Sequence, residues 1–136
     1  MPGLWSTMGY RLDAWEVGTS TVSWEATQDY GFATSNGYVV QGGLVTAQLD
    51  SAMGGACWTV LDDTQIFLTA DLRVEFLRST PMGHLVAVGT VVRATSRVVF
   101  CAGELHLDSP DGALLASARC TQVVLPADHR GRRATG

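Results

Sequence analysis

The stretch Gln41-Gly42-Gly43-Leu44-Val45-Thr46-Ala47-Gln48-Leu49-Asp50 decides the fold, because two adjacent glycines open a long apolar segment. From Gly43 to about Leu61 the apolar residues cover most of a helical wheel, which predicts a central helix buried on nearly all sides. A glycine inside a helix is disfavoured by about 1 kcal/mol relative to alanine, so a pair at the start indicates a close approach to the backbone. The unpaired amides and positive dipole end of a helix start can also hold an oxyanion. Further along, Gly54-Gly55 predicts that another backbone comes near.

The composition predicts one domain over residues 1–126, because 136 residues with 46% hydrophobic content are enough for one core and too few for two. Residues 127–136, which contain the only basic run, are predicted to be a flexible tail. A net charge of −4 with 16% charged residues argues against a nucleic-acid partner.

The three cysteines form an odd set without a CxxC pair, and no histidine lies at metal-ligand spacing. We therefore expect neither a disulfide framework nor a metal site, and a reducing, cytoplasmic location. No apolar run reaches the roughly 18 residues that a membrane span needs, and the N-terminus lacks the features of a signal peptide. No membrane association is expected.

The segments around the helix have the patterns of strands and one loop. Aromatic and β-branched residues predict strands over Tyr10–Val17 and Thr19–Ala26, and the lack of a sustained period predicts a loop over Thr27–Val40. Four further strands are predicted after the helix: Leu68–Leu77, Leu85–Thr95, Arg97–Asp108 and Ala113–Leu125. One apolar helix followed by long strands predicts an α+β domain with an antiparallel sheet wrapped around the helix. The uncovered helix flank and the sheet edges favour self-association.

The ordered set Gln41-Gly42-Gly43, Asp50 and Gly54, followed by Leu68–Arg78 and Pro81-Met82-Gly83, resembles the hotdog-fold acyl-CoA thioesterases of the phenylacetate-degradation type. The resemblance covers about residues 8 to 125. In that family a His-Gly-Gly opens the central helix, and an acidic residue follows nine positions after the histidine. The resemblance implies a hotdog fold, a homodimer or homotetramer, and hydrolysis of an acyl-CoA without a metal or redox cofactor, coenzyme A being part of the substrate.

Two positions depart from the family pattern. Gln41 replaces the histidine, and a glutamine can donate a hydrogen bond but cannot titrate near neutral pH. Ser35 occupies the place of the family's asparagine, and Asn36 lies one position closer to the motif. The resemblance gives Ser35, Asn36 and Gly43 substrate-binding roles.

Thioester hydrolysis needs a donor for the growing oxyanion and a base or nucleophile. The Gly42 amide is the candidate donor, and the Asp50 carboxylate is the candidate base or nucleophile, since an ionised group on an apolar helix must be paired or functional. By resemblance Thr69 places the water, with strand propensity as its alternative explanation. Gln41 either holds the thioester carbonyl or caps the helix. Three arginines are candidate ligands of the coenzyme A phosphates: Arg78, Arg93 and Arg97.

The spacing of Gly42 and Asp50 predicts where a complete site lies. Eight residues of helix span about 12 Å and turn about 80° past two revolutions, so the two groups of one chain cannot reach one carbonyl carbon. Two antiparallel helices across a twofold axis would bring Gly42 of one subunit to Asp50 of the other, giving two sites per dimer.

Two alternatives stay open at this point. A hotdog dehydratase or hydratase would need a catalytic histidine, and none lies between residues 1 and 83. A non-catalytic protein that binds an acyl-CoA or another ligand is suggested by the missing histidine at position 41. His84 and His106 have no nucleophile setting, and solvation explains Asp71, Glu75 and Glu104. An aromatic or medium-chain acyl group is expected for a thioesterase.

Overall fold

The computed structural model describes residues 3–127, which form a six-stranded antiparallel sheet with one long helix packed against it, and a separate two-stranded hairpin. The predicted tail lies outside the described residues from position 128 onward. The helices and strands, in chain order, are α1 Gly3–Met8, β1 Arg11–Glu16, β2 Thr19–Ala26, the 3₁₀ helix Gln28–Tyr30, β3 Gly31–Thr34, β4 Gly37–Val40, α2 Gly42–Trp58, β5 Gln65–Phe76, β6 Gly83–Ala94, β7 Val98–Leu107 and β8 Leu114–Pro126.

The sheet has the strand order β1-β2-β6-β7-β8-β5, and every neighbouring pair is antiparallel. Helix α2 packs mainly on β2, β6 and β7, where Leu49 and Met53 meet Leu85 and Leu105 in a core without solvent exposure. Full burial of such a side chain stabilises the fold by about 1.5–3 kcal/mol. The predicted α+β architecture, a sheet wrapped around a central helix, is confirmed.

Helix α2 begins one residue before and ends three residues before the predicted bounds. At its start Gln41 is the N-cap, and its side-chain Oε1 accepts a hydrogen bond from the Leu44 amide at 3.2 Å. At its end the Thr59 hydroxyl donates to the Ala56 carbonyl at 2.6 Å and accepts from the Gly18 amide at 2.7 Å. These bonds satisfy backbone groups in the first and last turns that have no partner within the helix.

The close approach predicted at Gly54-Gly55 comes from side chains, so the expectation of a backbone contact there was wrong. A Cβ at Gly54 would lie 3.1 Å from the Phe67 ring, and one at Gly55 would overlap Ser20 Oγ. The backbone of the sheet meets the helix at Gly89 instead, where a Cβ would overlap the Ala52 carbonyl. The glycine needed for that contact is therefore on β6.

The loop predicted over Thr27–Val40 is wrong for most of its length, because it holds the 3₁₀ helix and the β3–β4 hairpin. The turn of the hairpin ends in Gly37, whose φ of 108° favours glycine. The pair Asn36-Gly37 was the available signal, since such pairs are typical of two-residue hairpin turns. Helix α1 was not expected from the sequence. It places Trp5 in the core, and the Met8 carbonyl accepts the Trp24 indole N–H at 2.8 Å.

Strand β5 contains a bulge at Ala70, where its register with β8 shifts between Thr69 and Asp71. Before the bulge Phe67 packs on the core, and after it Leu72 and Val74 do so. An extra residue reverses which side chains face the helix, because alternate strand residues point to opposite faces. Thr69 thus faces α2. Leu68 is 59% exposed.

Candidate functional site

A hydrogen-bonded group of polar side chains connects the middle of α2 to the sheet. The Thr69 hydroxyl lies 3.1 Å from Asp50 Oδ1 and 2.9 Å from Gln122 Oε1. Asp50 and Thr69 were both predicted from the sequence, and the bulge at Ala70 turns Thr69 toward the helix. Gln122, on β8, was not predicted, because nothing in its local sequence marks it and its partner Thr69 is 53 positions away.

Asp50 is half-buried, and the loss of solvent raises the pKa of its carboxyl group above the ordinary value. The hydrogen bond from Thr69 acts in the opposite direction, because it stabilises the ionised form. Burial is the larger effect. Such a carboxyl group is a stronger base than a solvated aspartate, as proton transfer near neutral pH requires.

A cleft of about 530 Å³ opens beside Asp50 and Thr69. Aromatic side chains form much of its wall, and Trp58 packs edge-on against Phe67 with ring centroids 5.2 Å apart. Trp58 is 50% exposed. The remaining wall residues are mostly apolar or small: Leu4, Trp5, Leu12, Trp15, Ser51, Gly54, Gly55 and Thr59. Asp50 is the only charged residue among the described residues that line the cleft.

The opening turn of α2, Gln41 to Leu44, shows why two glycines stand there. A Cβ at Gly43 would lie 2.9 Å from Gln41 Oε1, so a larger residue would push the capping side chain away. At Gly42 a Cβ would lie 3.4 Å from the Phe76 ring. The amides of Gly42 and Gly43 have no acceptor within the helix, and no hydrogen bond within residues 3–127 uses them. Gln41 therefore has the capping role that the sequence left open, and a role toward substrate remains a prediction.

Three other predicted substrate residues lie together at this end of the helix. Ser35, Asn36 and Arg78 line a cleft of about 470 Å³ between the β3–β4 hairpin and the end of β5. Arg78 also lines the neighbouring cleft with Phe76, whose ring covers Gly42.

Comparison with known proteins assigns the family. The model of the thioesterase superfamily matches residues 37–122. The chain belongs to the thioesterase superfamily. It is therefore a thioester hydrolase, which favours hydrolysis over the dehydratase or hydratase alternative. No curated protein matches the sequence.

Solved structures confirm the hotdog fold of this thioesterase. A thioesterase family protein from Silicibacter pomeroyi has a TM-score of 0.82 at 20% identity, over 93% of this chain and 91% of that chain. A thioesterase from Haemophilus influenzae has a TM-score of 0.79 at 15% identity, over 90% and 82% of the two chains. A phenylacetic acid degradation-related protein from Ralstonia eutropha has a TM-score of 0.78 at 29% identity, over 90% of both chains.

The single chain of the thioesterase does not bring all the predicted site residues together. Gly42 and Asp50 both lie on α2, eight residues apart, so their separation along the axis is about 12 Å. The backbone carbonyl of Arg97, near Arg93 at the β6–β7 end of the sheet, accepts from the Val124 amide, whereas the backbone amide of Arg78 donates to the Leu115 carbonyl. Nine residues of β8 separate those two contacts, about 30 Å. Arg78 and Arg97 of one chain therefore cannot hold the same phosphate.

The two histidines within residues 3–127 each lie beside a glutamate, away from the cleft at Asp50. His84 pairs with Glu25, and His106 lies 3.0 Å from Glu104 and 2.9 Å from the Gly112 carbonyl. No group of three potential metal ligands occurs within residues 3–127, and no helix there is both long and apolar enough to span a membrane. The cysteines of this region are buried and free: Cys57, Cys101 and Cys120.

Proposed function

We propose that this thioesterase hydrolyses an acyl-CoA to the free acid and coenzyme A, with an aromatic acyl group as the preferred substrate. The observation that carries the proposal is the Asp50–Thr69 pair at the wall of an apolar, aromatic-lined cleft. Trp58 and Phe67 present ring edges and faces that suit a planar acyl group. The similarity to the phenylacetic acid degradation-related protein from Ralstonia eutropha supports the same substrate class.

Thioester hydrolysis in this site begins with the ionised carboxylate of Asp50, which can act in two ways. As a base, the Asp50 carboxylate takes a proton from water while the water oxygen attacks the thioester carbonyl carbon. The resulting oxyanion needs a donor, and the C–S bond then breaks as the thiolate of coenzyme A leaves and accepts the proton from Asp50. As a nucleophile, Asp50 would instead attack the carbonyl carbon and displace the thiolate of coenzyme A, and water would then hydrolyse the resulting mixed anhydride to the free acid and the Asp50 carboxylate. Both routes use the same carboxylate, donor and cleft, and neither uses a metal or redox cofactor.

The donor for the oxyanion is the Gly42 amide of the partner subunit in an antiparallel homodimer. The free amides at the opening turn and the 12 Å offset along α2 support this arrangement. Strand β5 is an edge strand of twelve residues with exposed Leu68 and Phe76, and exposed Leu77 follows it directly. A second copy of the chain would cover that edge. Dimers of this kind can pair further into tetramers.

The arginines complete the proposal for coenzyme A. Arg78, with Ser35 and Asn36, lies on the Gly42 side of each subunit, so in the dimer it approaches the cleft of the other chain. Arg93 and Arg97 lie at the opposite end of the sheet, nearer to Phe67 of their own chain. Charge-assisted hydrogen bonds from either set would hold the phosphates. A cytoplasmic location stays a prediction from the cysteine content.

The test is thiol release from a panel of aromatic and straight-chain acyl-CoA esters by the wild type and by Asp50→Ala. We expect hydrolysis with a preference for aromatic esters, and a loss of at least about 100-fold in Asp50→Ala, the scale of removing an acid–base group. Asp71→Ala is the matched control, because Asp71 directly follows the bulge and its side chain is exposed on the face of β5 away from the cleft. Undiminished activity in Asp50→Ala would contradict the mechanism, and acyl-CoA binding without hydrolysis of any ester would favour the non-catalytic alternative.

A further inference from the structure

Gln122 is a polar side chain without any solvent exposure, on the face of β8 that meets the helix. A buried amide must find hydrogen-bond partners, because leaving it without them is expensive in free energy. Its two partners are the Thr69 hydroxyl at 2.9 Å and Cys120 Sγ at 3.3 Å. The bulge in β5 places Thr69 directly opposite Gln122, and Thr69 is the residue that contacts Asp50. In this chain of hydrogen bonds only Thr69 lies between Gln122 and the Asp50 carboxyl group.

The protons of this chain of contacts can be counted. Thr69 has one hydroxyl proton, yet both Asp50 Oδ1 and Gln122 Oε1 are acceptors in the arrangement observed. If Asp50 carries a proton, it donates to Thr69, which donates to the amide oxygen of Gln122. If Asp50 is ionised, Thr69 must donate to it, and the Gln122 amide turns so that its N–H donates to Thr69 and its oxygen faces the Cys120 thiol. A glutamine provides both arrangements because its side chain ends in a donor and an acceptor of nearly equal shape.

We propose that Gln122 is a positioning residue of the hydrolytic site, which orients the Thr69 hydroxyl toward Asp50 and gives it a matching hydrogen-bond partner in both protonation states of the carboxyl group. This role rests on the proposed function, in which Asp50 accepts a proton from water and later returns it. Gln122 has no exposed atom and therefore contacts no substrate.

The titratable groups near Asp50 are cysteines. Cys120 faces it from β8, with Cys101 opposite on β7 and Cys57 on α2. Burial raises the pKa of the Cys57 thiol to about 12, and the neighbouring Cys101 together with burial raises the pKa of Cys120 further, so the Cys57 and Cys120 thiols stay neutral. The described residues of α1, β1 and β5 that line the cleft add no charged group. A change in the titration of Asp50 therefore reports on Thr69 and Gln122.

The chain contains a matched control. Gln48 is equally buried, on α2, but its Nε2 donates to the Val22 and Leu85 carbonyls at 3.1 and 3.0 Å and not to the site. Gln122→Met and Gln48→Met remove the same amide and keep a similar volume. Both variants should lose stability, but only Gln122→Met should change the chemistry at Asp50.

The experiment measures kcat and KM against pH with an aromatic acyl-CoA, and the titration of the Asp50 carboxyl carbon by NMR. For Gln122→Met we expect kcat to fall about tenfold or more, the scale of one hydrogen bond to a charged group, with KM nearly unchanged. The acidic limb of kcat and the NMR titration should both move to higher pH, because an unoriented Thr69 stabilises the carboxylate less. On a Thr69→Val background the same substitution should have no further effect.

Gln122→Asn, which keeps an amide but withdraws it from Thr69, should change both readouts in the same direction and serves if Gln122→Met does not fold. The proposal is overturned if Asp50 titrates at the wild-type pH in both variants, or if Gln48→Met lowers kcat of the folded protein equally. The NMR titration needs no activity. If the wild type hydrolyses no ester while the titration of Asp50 still shifts in Gln122→Met, the proposed function fails and the positioning contact stands.

Discussion

The opening turn of α2 and the cleft beside its middle belong to one helix and have opposite chemical character. The opening turn is partly exposed, uncharged and supplies free amides at Gly42 and Gly43. The cleft supplies a half-buried carboxyl group among aromatic side chains. An oxyanion is stabilised most strongly by donors in an apolar environment, and the amides in the middle of α2 are already used within the helix. In the proposed homodimer each region is therefore half of a site, which the second chain would complete.

The largest effect should follow from removing the donor at the opening turn. Gly42→Pro deletes one N–H at the first helical position, where proline is tolerated. Gln41, with φ −62° and ψ 132°, already has the backbone that precedes a proline. We expect kcat to fall about 10²–10³-fold with the helix intact, the scale of one oxyanion donor. Circular dichroism and acyl-CoA hydrolysis measure the two properties.

Gly42→Ala is the control for this change. It keeps the N–H, and its methyl group would only touch the Phe76 ring at 3.4 Å. If Gly42→Ala loses as much activity as Gly42→Pro, the amide is not the donor and the assignment of the opening turn is wrong.

A smaller effect is expected at the wall of the cleft. Trp58→Ala removes a half-exposed aromatic wall and the edge contact with Phe67. We expect kcat/KM for an aromatic acyl-CoA to fall about 10–100-fold, and that for a short straight-chain ester to change less. Phe100→Ala is the matched control, because Phe100 is partly exposed on the face of β7 away from the helix. Equal losses for all esters would argue against an aromatic acyl site here.

The smallest effect concerns stability. Burial raises the pKa of Asp50, so the folded state binds its proton more tightly than the unfolded state does. The stabilising contribution of the protonated carboxyl group is present below the unfolded pKa and is lost as the pH rises through the folded pKa. Asparagine does not ionise, so Asp50→Asn does not lose this stability as the pH rises. We expect Asp50→Asn to have a higher Tm than the wild type at neutral pH, with the difference shrinking toward pH 3. A constant difference across this range would contradict a raised pKa.

Much of the fold could be predicted from local patterns. The apolar wheel after Gly43 predicted α2 because a helix covered on most sides needs apolar residues around its circumference. The long strands were predicted from the alternation of apolar and polar residues along the chain. The β3–β4 hairpin has four residues in each strand, too few to show a period, so only Asn36-Gly37 marked it. The bulge at Ala70 could not be predicted, because a strict alternation continued from Leu72 would turn Leu68 inward and Thr69 outward, the reverse of what is observed.

The candidate site could be predicted only in part, and for a physical reason. Asp50 is conspicuous because a charged residue on an apolar helix is unusual. Gln122 lies on an alternating strand where glutamine is ordinary, and its burial depends on a register set by another strand. The capping role of Gln41 depends on its side chain folding back over Gly43, which the sequence does not specify.

In the proposed homodimer each site joins the opening turn of one subunit to the cleft of the other, and mixed dimers distinguish this arrangement from a site within one chain. Asp50→Ala and Gly42→Pro subunits, each inactive as a homodimer, are combined and the heterodimer is purified through two different tags. One of its two sites then has Asp50 and Gly42 both intact. If the sites are shared between subunits, the heterodimer should have about half of the wild-type kcat per dimer. A heterodimer no more active than its parents, or a wild-type protein that hydrolyses acyl-CoA as a monomer, would contradict it.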